Sequence, residues 1–375
     1  MNHPAVYHRQ FEGVEVSVGN GLDKRVVVIG AGIVGASVAY HLAGKGADVT
    51  VVEAEDIASG VTGSSFAWLN ASHPEPDPIA PLRGAAIDAY RRLETQLPDM
   101  KIRWTGALSY RSTSSEALPG SGNPTSKNGV SRSRIVDLEP NLKHPPHYAS
   151  YAEEEGALDA VAATHALIAG AQANGARIFT QTRVLGFARQ GATVTGVETA
   201  MGVINADVVV LAAGTGITKL TNMLGAPLPI AASPSIFIRY KAPPGLVRTL
   251  ISSPEMEVRQ CLDGALLAAE DYLDNAVENQ PAAIALRTAK AIKNELHGAA
   301  SIELESACVG LRPIPADGIP FIGYLPNIGG VYVCVMHPGV TLAAIVGRLA
   351  SEEILDNNAS SALDPCRPDR FFFQA

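Results

Sequence analysis

The glycine-rich segment GAGIVG at residues 30–35 constrains the fold more than any other part of the sequence. It follows a short β-branched run, Val26–Ile29, and opens a segment of helical composition, Ala31–Gly44. A second β-branched run, Val49–Val52, comes next and ends at Glu53. A strand, a helix and a strand within about 30 residues form one βαβ unit. Because both runs are apolar throughout, we predict buried neighbouring strands of a parallel sheet, and hence an α/β domain.

Each glycine of this loop has a physical role in binding a dinucleotide. Gly30 permits a tight turn, Gly32 lets a pyrophosphate approach the backbone, and Gly35 lets the helix pack close to the strand. The helix N-terminus adds unpaired N–H groups and partial positive charge. Glu53 is placed to accept hydrogen bonds from both ribose hydroxyls and to repel a 2′-phosphate, which disfavours NADP. This pattern predicts a dinucleotide site and leaves FAD and NAD as alternatives.

Composition limits the class of protein. The chain has 375 residues, 47% of them hydrophobic and 18% charged, so it is long enough for two domains and too apolar to be largely disordered. Its formal charge of −8 argues against general nucleic-acid binding.

The four cysteines form no CxxC pair, so we expect no metal site and a reducing compartment. We see no signal peptide and no stretch of 18 apolar residues, and expect a cytoplasmic protein without a transmembrane segment.

The rest of the chain is predicted to consist of alternating helices, strands and polar loops. Residues 1–23 are expected to form a loose arm, and residues 58–72 and 111–133 to form loops. Helices are predicted at Ala85–Leu97, Ala160–Asn174, Ala282–Leu296 and Thr341–Leu355. Strands are predicted at Arg177–Val184, Thr193–Glu198, Ala206–Leu211, Ile236–Ile238, Gly264–Ala268 and Val331–Val335.

Four further segments resemble one family when they are taken in order. They are Ser59–Ser65, Ala206–Gly214, the stretch Gly310–Gly323, and His337–Ala343. Together with GAGIVG and Glu53 they resemble the D-amino-acid oxidase-like flavoproteins, a family that includes glycine oxidase, sarcosine oxidase, D-amino-acid dehydrogenase and hydroxyproline dehydrogenases. The resemblance covers roughly residues 24–372.

The resemblance implies a fold that combines α/β and α+β parts. A Rossmann-like FAD-binding domain would be interleaved with a substrate domain built on a mainly antiparallel sheet. We expect the FAD-binding domain at 24–80, 151–222 and 312–370, and the substrate domain at 81–150 and 223–311.

The resemblance also implies FAD rather than NAD, with contacts from dispersed segments. The expected cofactor-binding residues are Gly30, Gly32, Ile33, Val34, Gly35, Glu53, Ala54, Ser59, Thr62, Ser64, Ser65, Val184, Ala213, Gly214, Arg312, Gly339, Val340 and Thr341. The helix that begins near Thr341 would aim its positive N-terminus at the flavin ring.

Three departures from relatives shape the expectations about the flavin. Some relatives attach FAD through a His just after the first Ser/Gly loop, where this chain has Ser65–Trp68. Sarcosine oxidases use a Cys near the position of Cys308, which we expect to be a small buried residue. We therefore predict non-covalent FAD. Sarcosine oxidases also place an oxygen-activating Lys in a strand that corresponds here to Gly264–Ala268, without Lys, which favours a dehydrogenase over an oxidase.

The implied activity is the FAD-dependent oxidation of an amino acid or secondary amine. Hydride leaves the C–H next to nitrogen for flavin N5, and the resulting imine hydrolyses. A bidentate Arg is the natural clamp for a substrate carboxylate, and Arg312 matches the family's carboxylate-binding Arg. His337, Tyr272 and Tyr240 are further candidates for substrate contacts.

Two other functions stay open on the sequence. The first alternative is one subunit of an opine or hydroxyproline dehydrogenase complex that needs partner chains, and the second is an NAD-dependent dehydrogenase. The electron acceptor, whether oxygen, a quinone or a partner protein, and the choice between a homo-oligomer and a hetero-oligomer both stay open.

Overall fold

The computed structural model describes residues 24–72, 76–111 and 128–372. The described helices are α1 (Ile33–Gly44), α2 (Ala80–Gln96), α3 (Arg132–Leu138), α4 (Ala160–Ala173), α5 (Ile217–Leu224), α6 (Pro281–Glu295) and α7 (Gly339–Asp356). The described strands are β1 (Arg25–Ile29), β2 (Asp48–Val52), β3 (Trp68–Leu69), β4 (Ile102–Arg103), β5 (Ala107–Ser109), β6 (Gly129–Ser131), β7 (Tyr148–Ala152), β8 (Gly156–Leu158), β9 (Arg177–Phe179), β10 (Val184–Gln190), β11 (Thr193–Thr199), β12 (Gly202–Asn205), β13 (Val208–Leu211), β14 (Ile230–Lys241), β15 (Leu250–Ser252), β16 (Glu257–Gln260), β17 (Leu266–Asp271), β18 (Glu303–Pro315), β19 (Phe321–Tyr324) and β20 (Val331–Val335).

A six-stranded sheet forms the first layer, in the order β19–β20–β13–β1–β2–β9. All of its neighbours pair in parallel except β19 with β20. The strands β1, β2, β13 and β20 are apolar on both faces because helices cover one side and β10–β12 with α5 cover the other. Helix α1 packs against α4 and α7 on the first side. The sheet collects strands from the beginning, middle and end of the chain.

An eight-stranded sheet forms the second part, in the order β18–β14–β17–β16–β15–β5–β7–β6. Only β15 with β5 pairs in parallel, so the sheet is mainly antiparallel. One of its faces packs on α6 and α3 around the fully buried side chains Ile236, Ile238, Leu266 and Ile135. The two sheets together confirm the expected combination of α/β and α+β architecture.

Several predicted elements differ from those observed. Residues 129–133, expected in a loop, form β6 and the start of α3, while residues 112–127 and 1–23 lie outside the described residues. The predicted strand Arg177–Val184 is divided between β9 and β10, because Thr182 turns back to donate its N–H to the backbone oxygen of Glu53.

The expected domain boundaries at 150/151 and 311/312 both fall inside strands. Residue 151 is within β7, and residue 312 is within β18, which pairs with β14 along its whole length. The domain boundaries stay a prediction. The strand β18 belongs to the eight-stranded sheet and also reaches Ser64, because Gly310 lies against that residue.

None of the helices within 24–72, 76–111 and 128–372 combines the length and the apolarity that crossing a bilayer requires.

Candidate active site

The glycine loop requires glycine at two positions, Gly30 for its backbone conformation and Gly35 for a close contact. Gly30 has φ +107°, and a Cβ added to it would lie 2.5 Å from the backbone oxygen of Ala212. A Cβ on Gly35 would lie 2.0 Å from the backbone oxygen of Gly30, so α1 touches the loop that precedes it. This contact fixes the N-terminus of α1 at the carboxyl ends of β1 and β13, where open α/β sheets bind their ligands.

Two polar side chains hold the loop and the helix start in place. Glu53 accepts hydrogen bonds from the N–H groups of Ala31 at 2.7 Å and Glu55 at 2.9 Å. The buried Thr62 hydroxyl accepts a hydrogen bond from the N–H of Ile33 at 3.2 Å. A carboxylate at the end of the second strand and an ordered hydroxyl at the helix start thus fix the geometry of the loop.

One cavity of about 1000 Å³ extends from this loop to the eight-stranded sheet. Every residue that the sequence predicts to bind cofactor lines it, except Gly35. Gly35 instead acts beneath the loop by allowing the close helix contact. Trp68 and Asn70 also line the cavity.

The N-terminus of α7 forms another part of the cavity wall. Gly339, Val340 and Thr341 belong to its first turn and line the cavity. The buried hydroxyl of Thr341 donates to the backbone oxygen of Trp68 at 3.0 Å and accepts from the N–H of Asn70 at 3.3 Å. Thr341 therefore ties α7 to β3 with its side chain, which leaves main-chain groups of this turn to meet a ligand.

Arg312 lies on the cavity-facing side of β18. Its Nη2 donates to the Ser233 hydroxyl at 3.2 Å and to the backbone oxygen of Pro234 at 3.3 Å. Its Nε is buried and has no hydrogen-bond partner among the described residues. A guanidinium held in a cavity wall is suited to a carboxylate, to which Arg can donate two parallel hydrogen bonds.

His337 lines the same cavity and is exposed to the space within it. The pKa of His337 is lowered to about 4, mainly by desolvation of the imidazole in the surrounding protein. The positive charges of Arg312 and Arg83 lower this pKa further. The imidazole is therefore neutral at physiological pH.

Sequence reasoning missed six charged residues of the cavity, among them Arg83 and Glu257. Arg83, on α2, is buried and pairs with Asp77 at 2.8 Å. Glu257, on β16, lines the cavity on the side of the substrate sheet. Neither residue lies in a motif, and only the alternation of polar and apolar residues in MEVRQ offered a signal for Glu257.

Two predicted substrate residues lie elsewhere. Tyr240 is fully buried under the sheet and donates to the backbone oxygen of Ala285 at 2.6 Å, because its position in β14 points to the α6 side. Tyr272 follows β17, lies outside the cavity lining, and its hydroxyl bonds Asn275. The expectation for Cys308 is also wrong, since this residue is exposed on β18 rather than buried.

Comparison with known proteins identifies the kind of site. The family model described as FAD dependent oxidoreductase, DAO, matches residues 25–353. The chain belongs to this family. FAD is therefore its cofactor, and the choice between FAD and NAD that the glycine loop leaves open is decided.

Related proteins cover nearly the whole chain. The glycine oxidase of Pseudomonas putida is 27% identical over 369 residues, which cover 92% of this chain and 97% of the relative. One subunit of the opine oxidase of Rhizobium meliloti is 23% identical, with 92% and 97% covered. The crystal structure of L-proline dehydrogenase from P. horikoshii superimposes with a TM-score of 0.82 at 21% identity, covering 93% of this chain and 98% of the other. These likenesses confirm the fold and an oxidoreductase of the amine-oxidising flavoenzyme family.

The described residues fit FAD. Gly30 and Gly32 line the cavity with backbone alone, and Glu53 lies at the end of β2 where a ribose is bound in dinucleotide folds. Val184, Ala213 and Gly214 line the same end of the cavity. Among residues 24–72, 76–111 and 128–372, no group of three or more His, Cys, Asp or Glu side chains is arranged to hold a metal ion.

Proposed function

We propose that this flavoenzyme oxidises an amino acid or a secondary amine that carries a carboxylate, such as a D-amino acid, an N-methyl amino acid, a D-proline-like compound or an opine. The C–H bond next to nitrogen is broken, and the imine that results is hydrolysed by water. The observation that carries this proposal is Arg312, whose guanidinium is held by Ser233 and Pro234 and which lines the same cavity as the dinucleotide loop.

Arg312 is proposed to bind and orient the substrate. Moving a carboxylate from water into a partly closed cavity is costly unless the charge is paired. The guanidinium offsets this cost with two charge-assisted hydrogen bonds and fixes the direction of the Cα–H bond. Ser233 and Pro234 hold the guanidinium in place through Nη2.

The other groups of the cavity are proposed to set its electrostatics. FAD supplies the two-electron acceptor when bound. The first turn of α7 presents N–H groups and a positive dipole end to the cavity, which favours negative charge nearby. His337 is neutral, so it offers a hydrogen bond without competing with Arg312 for the carboxylate.

A dehydrogenase is proposed in preference to an oxidase, on the absence of Lys in Gly264–Ala268. The reduced enzyme would pass electrons to a quinone, a dye or a partner protein faster than to oxygen. Stopped-flow mixing of the reduced protein with air-saturated buffer measures this directly. Reoxidation as fast as steady-state turnover would make the protein an oxidase.

A role as one chain of a larger complex is the second candidate, and the likeness to the opine oxidase subunit supports it. In that case the purified chain would bind FAD yet depend on partner chains for turnover with an acceptor. A homogeneous, yellow chain that turns over alone would decide against this candidate.

The experiment that tests the main proposal is an anaerobic screen followed by flavin absorbance. The purified protein is mixed with D-amino acids, N-methyl amino acids, D-prolines, opines and simple amines without a carboxylate. Bleaching by carboxylated amines is expected, and it requires no knowledge of the acceptor. Bleaching only by amines without a carboxylate would contradict the role of Arg312. Acid precipitation should release the yellow colour into solution, as expected for non-covalent FAD.

A further inference from the structure

Glu257 and Arg312 lie on the same face of the eight-stranded sheet. Val258 on β16 pairs with Ala268 on β17, and both side chains point to the α6 side of the sheet. Glu257 precedes Val258 and Ala269 follows Ala268, so their side chains point to the opposite face. The pairing of β17 with β14 and of β14 with β18 places Arg312 on this same opposite face. Glu257, Ala269 and Arg312 all line the cavity. The cavity therefore has a carboxylate and a guanidinium on one wall.

The two charged groups do not form an ion pair with each other. Their strands are separated by β17 and β14, so the Cα atoms lie at least three strand spacings, or about 14 Å, apart. Arg312 bonds Ser233 and Pro234, while Glu257 accepts a long hydrogen bond of 3.4 Å from the Ser252 hydroxyl. Both side chains line the cavity of about 1000 Å³, which is large enough for a small molecule with one negative and one positive end.

The surroundings of Glu257 favour proton uptake near neutral pH. The pKa of Glu257 is raised to about 7, mainly because its carboxylate is buried. The negative charges of Glu270 and Asp271 on β17 raise this pKa further. The hydroxyl of Ser252 on β15 and the charge of Arg312 on β18 oppose this rise. A carboxylate with this pKa accepts a proton at neutral pH more readily than an ordinary glutamate does.

We propose that Glu257 binds the cationic nitrogen of a zwitterionic substrate whose carboxylate Arg312 holds, and that it accepts the proton which this nitrogen must lose. This inference rests on the proposed function and adds a base and a selectivity for cationic amines. An ammonium group has no lone pair to support loss of hydride from the neighbouring carbon. In the proposed step an N–H bond breaks and a carboxyl O–H bond forms, so the amine and Glu257 both become neutral.

Two ligands that differ only in one charge test the proposal on the FAD-loaded protein. N,N,N-trimethylglycine carries a permanent cation and has no N–H, whereas 3,3-dimethylbutanoate has the same shape with carbon in place of nitrogen. Neither can lose hydride to give an imine by this route, so both are probes of binding. Dissociation constants are measured from the change in flavin absorbance at about pH 8.5 and about pH 6.

The wild-type protein is expected to bind the cationic ligand about tenfold more tightly than its neutral isostere at the higher pH. This preference should disappear at the lower pH, where Glu257 is protonated, although the net charge of neither ligand changes appreciably. In Glu257→Gln the ratio should stay near one at both pH values, while the affinity for the isostere is retained. Arg312→Ala should weaken both ligands at both pH values.

Kinetics give a second measurement with a substrate from the anaerobic screen. The rate of flavin bleaching in wild type should fall as the pH drops through about 7. In Glu257→Gln the limiting rate should be about a hundredfold lower and this pH dependence should be lost. Normal FAD content in the variant shows that the fold is intact.

Equal binding of the two probes by the wild type, binding of neither, or a preference that survives Glu257→Gln would overturn the proposal. These outcomes leave the proposed function standing if carboxylated amines bleach the flavin. Absence of bleaching with every amine would instead reject the proposed function itself.

Discussion

The carboxylate of the fully buried Glu155 accepts a hydrogen bond of 2.8 Å from the indole Nε1 of Trp68. It also accepts from the backbone N–H groups of Ala71 at 3.0 Å and Ser72 at 2.8 Å. One buried acid therefore holds the segment that leads from the flavin loop along the cavity wall. Burial raises the pKa of Glu155, and the hydrogen bonds from Ser72, Trp68 and Ala71 lower it in part.

Glu155→Ala should destabilise the fold because it removes the acceptor of three partly buried hydrogen bonds. We expect a loss of about 3 kcal/mol in the free energy of unfolding, measured by urea denaturation of the apoprotein. The exposed neighbour Glu154 provides the control, and Glu154→Ala should change this free energy by less than about 0.5 kcal/mol. Equal stability of the two variants would contradict the account of Glu155.

Gly35→Ala should abolish most FAD binding, since its Cβ would lie 2.0 Å from the backbone oxygen of Gly30. The loop must shift, and a displacement that costs about 1.4 kcal/mol already weakens binding tenfold. Gly44→Ala in the same helix is the control, because its Cβ meets nothing closer than Asn174 at 3.6 Å. Flavin absorbance per mole of protein measures both, and a yellow Gly35→Ala protein with normal affinity would refute the close-contact role.

Arg312→Ala should lower kcat/KM for a carboxylated amine by roughly 30- to 1000-fold, or about 2–4 kcal/mol. Arg312→Lys should recover part of the loss, since the ammonium group retains the positive charge but cannot donate two parallel hydrogen bonds as the guanidinium does. FAD content should stay normal, because Arg312 is assigned mainly to the substrate. Ser233→Ala, which removes one of two acceptors of Nη2, should have a much smaller effect. Near-wild-type activity of Arg312→Ala would move the assignment to His337.

His41 should make the fold sensitive to mild acid. Burial lowers its pKa to about 4, with further lowering by Arg348 and Lys45, and its Nε2 has no partner among the described residues. Because the unfolded chain binds a proton below pH 6.5 and the folded chain does not, stability is lost as pH falls from about 6.5 to about 4.

His41→Gln should remove about 2 kcal/mol of this pH dependence, measured by urea denaturation of the apoprotein at several pH values. His165→Gln, at an exposed position of α4, is the control and should leave the profile unchanged. An identical slope in wild type and His41→Gln would show that other groups cause the acid sensitivity.

The nucleotide end of the cavity was predictable because local sequence determines it. The turn at Gly30, the contact of Gly35 and the carboxylate at the end of β2 all arise within about 30 residues of chain. The parallel pairing of Val26–Ile29 with Val49–Val52 follows from the same pattern. Each of these features depends on backbone geometry that few residue types permit.

The substrate end was less predictable because distant strands assemble it. Glu257 reaches the same cavity as Arg312 only through the register of four strands, and Arg83 reaches it from a helix that no motif marks. Tyr240 lies on the α6 side and not in the cavity because one residue of strand register decides which face of the sheet a side chain takes. The exposure of Cys308 has a related origin, since β18 lies at the edge of its sheet.

The order in which the nucleotide sheet is assembled has a consequence for biosynthesis. The strand β1 is paired with β13, whose other neighbour β20 ends at Val335, about 300 residues after Ile29. At about 5–20 residues per second, a ribosome needs roughly 15–60 seconds to pass from one to the other. The glycine loop thus leaves the ribosome long before the strands that surround it exist. FAD can be captured only after β20 and the first turn of α7 have been made, so the glycine loop spends the whole of that interval without its ligand.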